Sequence, residues 1–111
     1  MNMVINIEQV ESGVKISISG EIDAYTAPEL REKLFPLAEQ ASIKMTIDLT
    51  NVSYMDSTGL GVFVGAFKMV RANDGEFQIV GLSQRLKRLF DITGLTEVMQ
   101  INSVETKGGL L

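Results

Sequence analysis

The run Met55-Asp56-Ser57-Thr58-Gly59-Leu60-Gly61 sets a hydroxyl side chain where an apolar stretch of strand character meets an apolar stretch of helix character. A serine at a strand-to-helix turn is the position of the hydrolase nucleophile elbow, but that motif places serine between two glycines and needs a histidine. The chain contains no His and no Cys, which removes imidazole bases, thiol nucleophiles, disulfides and Cys-bearing zinc sites. No Ser-x-x-Lys begins at Ser57 to supply a lysine base, so hydrolysis is set aside and no catalytic residue is assigned. Gly59, Gly61 and Gly65 follow the spacing GxGxxxG, which is neither the dinucleotide fingerprint nor a P-loop. Two readings of Ser57 remain. In one it is the helix N-cap, its oxygen accepting free backbone N–H groups. In the other, Gly59 and Gly61 open the first turn to another molecule, and the helix N-terminus favours an anion there, a phosphate on Ser57 included. Asp56 beside it would oppose a phosphate charge of about −1.5 to −2, so modification would alter the local field strongly.

Other charged groups offer less. Glu21 and Asp23 supply too few oxygens for a hard metal ion, and they read better as half of an intermolecular ion pair. Arg85, Lys87 and Arg88 read as the solvated face of a helix. No metal ligand and no cofactor is expected.

The elements that carry these residues follow from periodicity. Met3, Ile5 and Ile7 alternate with Val4, Asn6 and Glu8, and after the turn-like Glu11-Ser12-Gly13 the residues Val14, Ile16 and Ile18 alternate with Lys15, Ser17 and Ser19, which predicts a hairpin. Gly20-Glu21-Ile22-Asp23-Ala24-Tyr25 breaks the pattern and is read as an exposed loop. Thr26-Ala27-Pro28-Glu29 predicts a helix start with Thr26 as N-cap, Pro28 in the first turn and Glu29 completing a capping box. Leu30, Leu34, Leu37 and Ala38 form its apolar stripe, and Pro36 is expected to kink or break it. Ile43, Met45, Ile47 and Leu49 predict a strand that leads through Asn51-Val52-Ser53-Tyr54 into the opening run. A second helix is expected from Thr58 to about Arg71, with Phe63, Phe67 and Val70 on one face and Gly65 letting it lie close to the sheet. A strand over Phe77 to Val80, a third helix capped by Ser83 that buries Leu86, Leu89 and Phe90 and stops at Gly94, and a short strand around Val98 to Ile101 complete the chain. Strands alternating with helices after a hairpin imply an α/β domain, with a mixed sheet of four to five strands and helices mainly on one face.

At 111 residues the chain fits one domain across 1–111, with residues 107–111 expected to fray. The net charge of −4 weighs against direct nucleic-acid binding, which needs a basic footprint. The apolar run from Leu60 to Phe67 is far short of the roughly 18–20 residues of a membrane span, and no secretory signal opens the chain, so a cytoplasmic protein is expected.

Three stretches together carry a family resemblance: Gly20-Glu21-Ile22-Asp23-Ala24-Tyr25-Thr26-Ala27-Pro28, Tyr54-Met55-Asp56-Ser57-Thr58-Gly59-Leu60-Gly61-Val62 and Arg88-Leu89-Phe90-Asp91-Ile92-Thr93-Gly94-Leu95. In these the chain resembles the single-domain STAS proteins that act as anti-sigma-factor antagonists in bacterial partner switching, with the pattern of the antagonists in the general stress sigma-B system. The resemblance implies a regulatory binding protein and not an enzyme. Its unphosphorylated form would bind an anti-sigma factor that is also a serine kinase, releasing a sigma factor for stress transcription. Phosphorylation at Ser57 would abolish binding, and a PP2C-type serine phosphatase would restore it. Asp23 matches a kinase-contacting position, Thr58 neighbours the modified residue, and Glu21, Asp56, Ser57, Gly59 and Gly61 complete the expected docking set. The alternative is a STAS module that senses a small anion or nucleotide at the Ser57 helix N-terminus.

Overall fold

The computed structural model describes residues 3–11 and 13–94, and the backbone of residues 100–103. The elements run β1 (Met3–Val10), β2 (Gly13–Ile22), α1 (Ala27–Ala38), β3 (Lys44–Met55), α2 (Ser57–Ala72), β4 (Glu76–Leu82), α3 (Gln84–Ile92) and β5 (Gln100–Ser103). The final strand falls close to the expected one; residues 98 and 99, and the expected frayed tail 107–111, lie outside the described residues.

The strands lie side by side in chain order, β1-β2-β3-β4-β5. Among the described strands only the β1/β2 hairpin is antiparallel, and the remaining pairs are parallel. Parallel neighbours need a crossover, and crossovers are right-handed almost without exception. When every new strand is added on the same side, that handedness sends each helix to the same face. The register shows the result: Ile16, Ile47 and Ile79 form one buried row across the sheet and Val14, Met45 and Phe77 another, under the helices. The opposite face carries the row Lys15, Thr46 and Gln78, polar and half-buried.

Several local expectations give way to tertiary structure. Gly20, Glu21 and Ile22 belong to β2 and not to a loop, and Ile22 is fully buried. The break in alternation is a bend, which Gly20 takes at φ +99, a backbone state that costs a glycine little. Thr26 sits at the N-cap of α1 with helical dihedrals and makes no capping bond, so the expected capping box is absent. Pro36 does not break α1, which runs on to Ala38. It lies in the last turn, and both it and Glu32, whose carbonyl loses a helical donor, are exposed, so water can serve that carbonyl. Gly65 makes room for a neighbouring helix and not for the sheet: a Cβ there would stand 2.9 Å from the Phe35 ring of α1. The expected Ser83 cap is present, its hydroxyl accepting the Leu86 N–H, and Gly94 takes the left-handed conformation at φ +78.

Candidate functional site

Two turns meet where β2 and β3 end side by side. Glu21 pairs with Tyr54 and Ile22 with Met55, and the Asp56 N–H donates to the Ile22 carbonyl at 3.2 Å. The Ser53 hydroxyl adds a bond to the Gly20 carbonyl at 3.3 Å. The Asp23 turn that follows β2 and the Ser57 turn that follows β3 are therefore anchored to one another through the strand ends.

The first turn is built around Asp23 and Thr26. One Asp23 carboxylate oxygen, Oδ1, accepts the N–H groups of Tyr25 at 2.9 Å and Thr26 at 3.1 Å. The buried Thr26 hydroxyl donates to the Glu21 carbonyl at 3.0 Å and accepts the Asp23 N–H at 2.9 Å. The Thr26 N–H, with help from that of Tyr25 and from the Thr26 hydroxyl, holds the Asp23 carboxyl below the usual aspartate range. Asp23 is thus a charged residue on a fixed platform, and Tyr25 at its apex is 91% exposed.

The second turn corrects the expected cap. Asp56, not Ser57, is the N-cap of α2: its extended backbone turns the chain, and Oδ1 accepts the N–H groups of Thr58 at 3.0 Å and Gly59 at 3.1 Å. Leu60 N–H bonds the Asp56 carbonyl at 3.0 Å. Aspartate serves this position well because a negative charge also suits the positive end of the helix. Ser57 is left as the first helical residue, exposed, its hydroxyl without an assigned partner among the described residues. Consequently an anion cannot use the Thr58 and Gly59 amides without displacing Asp56, which tells against a small-anion or nucleotide site on that turn.

The remaining predicted residues divide. Glu21, Thr58 and Gly61 are exposed beside Ser57, and a Cβ at Gly61 would meet nothing within 4 Å. Gly59 is buried, and a Cβ there would stand 2.5 Å from Ile22 Cγ2, so its smallness serves the packing of α2 on β2 and not the approach of another molecule. On α3, Lys87 bonds Asp91 at 3.2 Å, while Arg85 and Arg88 point outward. Sequence reasoning missed Thr26 as the keystone of the Asp23 turn, because threonine before Ala-Pro-Glu has the pattern of a cap. It also missed the exposed aromatics Tyr25 and Tyr54; the only signal was a large ring placed among turn residues. Among the described residues no cluster of acidic side chains could hold a metal ion, and no helix is long and apolar enough to cross a membrane.

Comparison with known proteins places this geometry. The family profile described as the STAS domain matches residues 4–107. The chain is 54% identical over 110 residues to the anti-sigma-B factor antagonist of Bacillus subtilis, covering 99% of each protein. It is 52% identical over 106 residues to the anti-sigma-B factor antagonist of Listeria monocytogenes, covering 95% of this chain and 93% of that one. The crystal structure of an anti-sigma factor antagonist from Mycobacterium paratuberculosis superposes with a TM-score of 0.82 at 25% identity, over 91% of this chain and 86% of the other. With a profile match over nearly its whole length and relatives above half identity, the chain belongs to the STAS-domain family.

Proposed function

We propose that this chain is an anti-sigma-factor antagonist of the bacterial cytoplasm that works by binding and not by catalysis. Its unphosphorylated form binds an anti-sigma factor that is also a serine kinase, the kinase phosphorylates Ser57 from its own ATP, and a PP2C-type phosphatase reverses the modification. The antagonist role is supported by the names of the half-identical relatives in Bacillus subtilis and Listeria monocytogenes. The observation that carries the switch is the position of Ser57: an exposed hydroxyl with no bond to hold it among the described residues, on a turn whose geometry Asp56 fixes.

The physical consequence is a local switch. With the first amides taken by Asp56, a phosphate of about −1.5 to −2 charge stands outward, next to a carboxylate, facing whatever docks there. Removing such a charge from water without a paired cation costs several kcal/mol, and each 1.4 kcal/mol is about tenfold in affinity, so binding falls by roughly a thousandfold or more. The hydrogen bonds of the cap stay in place, because the Ser57 hydroxyl contributes none of them among the described residues. Asp23, Glu21, Thr58 and Gly61 provide the surrounding contact surface in this reading.

Calorimetric titration with the anti-sigma factor tests it. Ser57→Ala binds with or without ATP, Ser57→Asp does not bind, and mass spectrometry after incubation with the kinase and ATP finds the phosphate on Ser57. Equal binding by the two variants removes the switch.

A further inference from the structure

The outer edge of β1 is built like an interface. Among the described strands β1 has β2 on one side and no strand on the other, so alternate residues along it hold N–H and C=O groups outside any ladder. Edge strands are commonly blunted by Lys, by Pro or by a bulge, and β1 has none of these. Met3–Val10 contains no Lys, Arg or Pro, and its pairing with β2 runs through eight consecutive residues without a shift. It also keeps three large apolar side chains in water: Val4 is 65% exposed, Ile7 40% and Val10 45%. Glu8, opposite Lys15 of β2, is its single charge.

The pattern of these residues is complementary to itself. Side chains alternate along a strand, so Val4, Asn6, Glu8 and Val10 face the open side of the sheet, while Ile7, opposite Ile16, faces the helix side. A second β1 can lie antiparallel to the first about a twofold axis, which keeps each face on its own side. With the axis at Ile7, the two Ile7 side chains meet, Val4 meets Val10 of the second copy, and Glu8 meets Asn6. Each exposed apolar side chain then gains an apolar neighbour and no like charges oppose. Moving the axis to Asn6 sets Glu8 against Val4, and moving it to Glu8 sets two carboxylates against each other. The pattern therefore selects one register.

We infer that β1 is a homodimerisation edge, at which a second copy of this chain continues the sheet across a twofold axis at Ile7. Eight residues a side take part, against roughly 20–30 in a standard interface, so the association is reversible and falls in the micromolar-to-millimolar range. β2 lies between this edge and β3, whose end carries the Ser57 turn. The dimer thus leaves both Ser57 turns open and offers two of them together, which raises avidity for a bivalent partner without a new contact.

Sedimentation velocity on the full chain, from about 10 µM to about 1 mM, should show a monomer passing into a dimer. Ile7→Lys, which sets two ammonium groups together, should raise the dimer dissociation constant at least tenfold while circular dichroism stays that of the folded protein. Val10→Lys, on the open face, is a second variant with the same expected loss. The chain has no Cys, so introduced thiols report the register. A short bismaleimide should join Ile7→Cys to itself. Val4→Cys and Val10→Cys should be joined when mixed and not when alone, because like positions then lie roughly 20 Å apart. A wild-type chain that stays monomeric throughout, a dimer that tolerates both lysines, or Val4→Cys joined to itself would overturn the inference.

Discussion

Gly59→Ala and Gly61→Ala make the same chemical change two residues apart in α2, and they should shift stability in opposite directions. A Cβ at Gly59 would stand 2.5 Å from Ile22 Cγ2 and 2.9 Å from the Ile22 carbonyl oxygen. Neither neighbour can give way cheaply. Ile22 is fully buried and its branched side chain is stiff, and its carbonyl is the backbone acceptor for the Asp56 N–H. Overpacking of this kind costs about 1–3 kcal/mol, against about 0.5–1 kcal/mol that alanine gains over glycine in a helix, so the net loss is on the order of 1–2 kcal/mol. At Gly61 the added methyl meets nothing, and only the helix gain remains. For a domain of this size those energies correspond to a fall of roughly 4–8 °C and a rise of roughly 2–4 °C in Tm. Thermal and urea unfolding followed by circular dichroism reads both. Relief of the Gly59→Ala clash must lift the first turn of α2 from β2, so partner binding at low temperature, where the variant is still folded, should weaken as well. A Gly59→Ala protein as stable as wild type would refute the packing argument.

Asp56→Ala should lose about 1 kcal/mol with its two capping bonds and Asp56→Asn only a few tenths, whereas Ser57→Ala should stay within about 0.5 kcal/mol of wild type, all read from urea midpoints. Asp23→Asn keeps an acceptor for the Tyr25 and Thr26 amides and should fold normally while binding the partner more weakly; Asp23→Ala should lower the unfolding midpoint too. Because the folded-state pKa of Asp23 is depressed, its charge contributes stability above the unfolded value of about 3.9 and loses it as pH falls through the folded value. The stability gap between wild type and Asp23→Asn should therefore close as unfolding is measured at successively lower pH below about 4. Pro36→Ala restores a donor to the Glu32 carbonyl in the last turn of α1, but water already serves that carbonyl and alanine loosens the unfolded chain, so stability should stay within about 1 kcal/mol of wild type in the same assay.

The parts of the fold that repeat were readable in the sequence. Period-two alternation found the hairpin and the first half of β3, and the apolar stripes found each of the described helices, because burial on one face imposes those spacings. What could not be read were departures from periodicity created by a neighbour. The pairing of β3 with β2 skips after Ser17/Asp48 and again after Gly20/Val52, so buried positions shift from Met45, Ile47 and Leu49 to Val52 and then to Met55. Asp48 supports the irregularity by accepting both the N–H and the hydroxyl of Thr50. A run that looks irregular in isolation is therefore regular strand against a partner. In the candidate site, the location of the Ser57 turn was visible but the division of work in it was not. Asp and Ser are nearly equal as caps, so sequence preference could not choose between Asp56 and Ser57, and only the backbone extension at Asp56 decides. Gly59 and Gly61 look alike in sequence and differ only in that Ile22 stands over one of them.

That division of work has a consequence for how a signal would be kept. Because the helix is capped by Asp56 and not by the Ser57 hydroxyl, a mark written on Ser57 and later erased under the proposed switch would break no hydrogen bond of the cap, and the chain would stay folded in both states. The total amount of protein then carries no information about its history. Under the proposed switch the marked fraction alone would, as a running balance between the rates of the two opposing enzymes, and it could be reset many times on one molecule without synthesis of another.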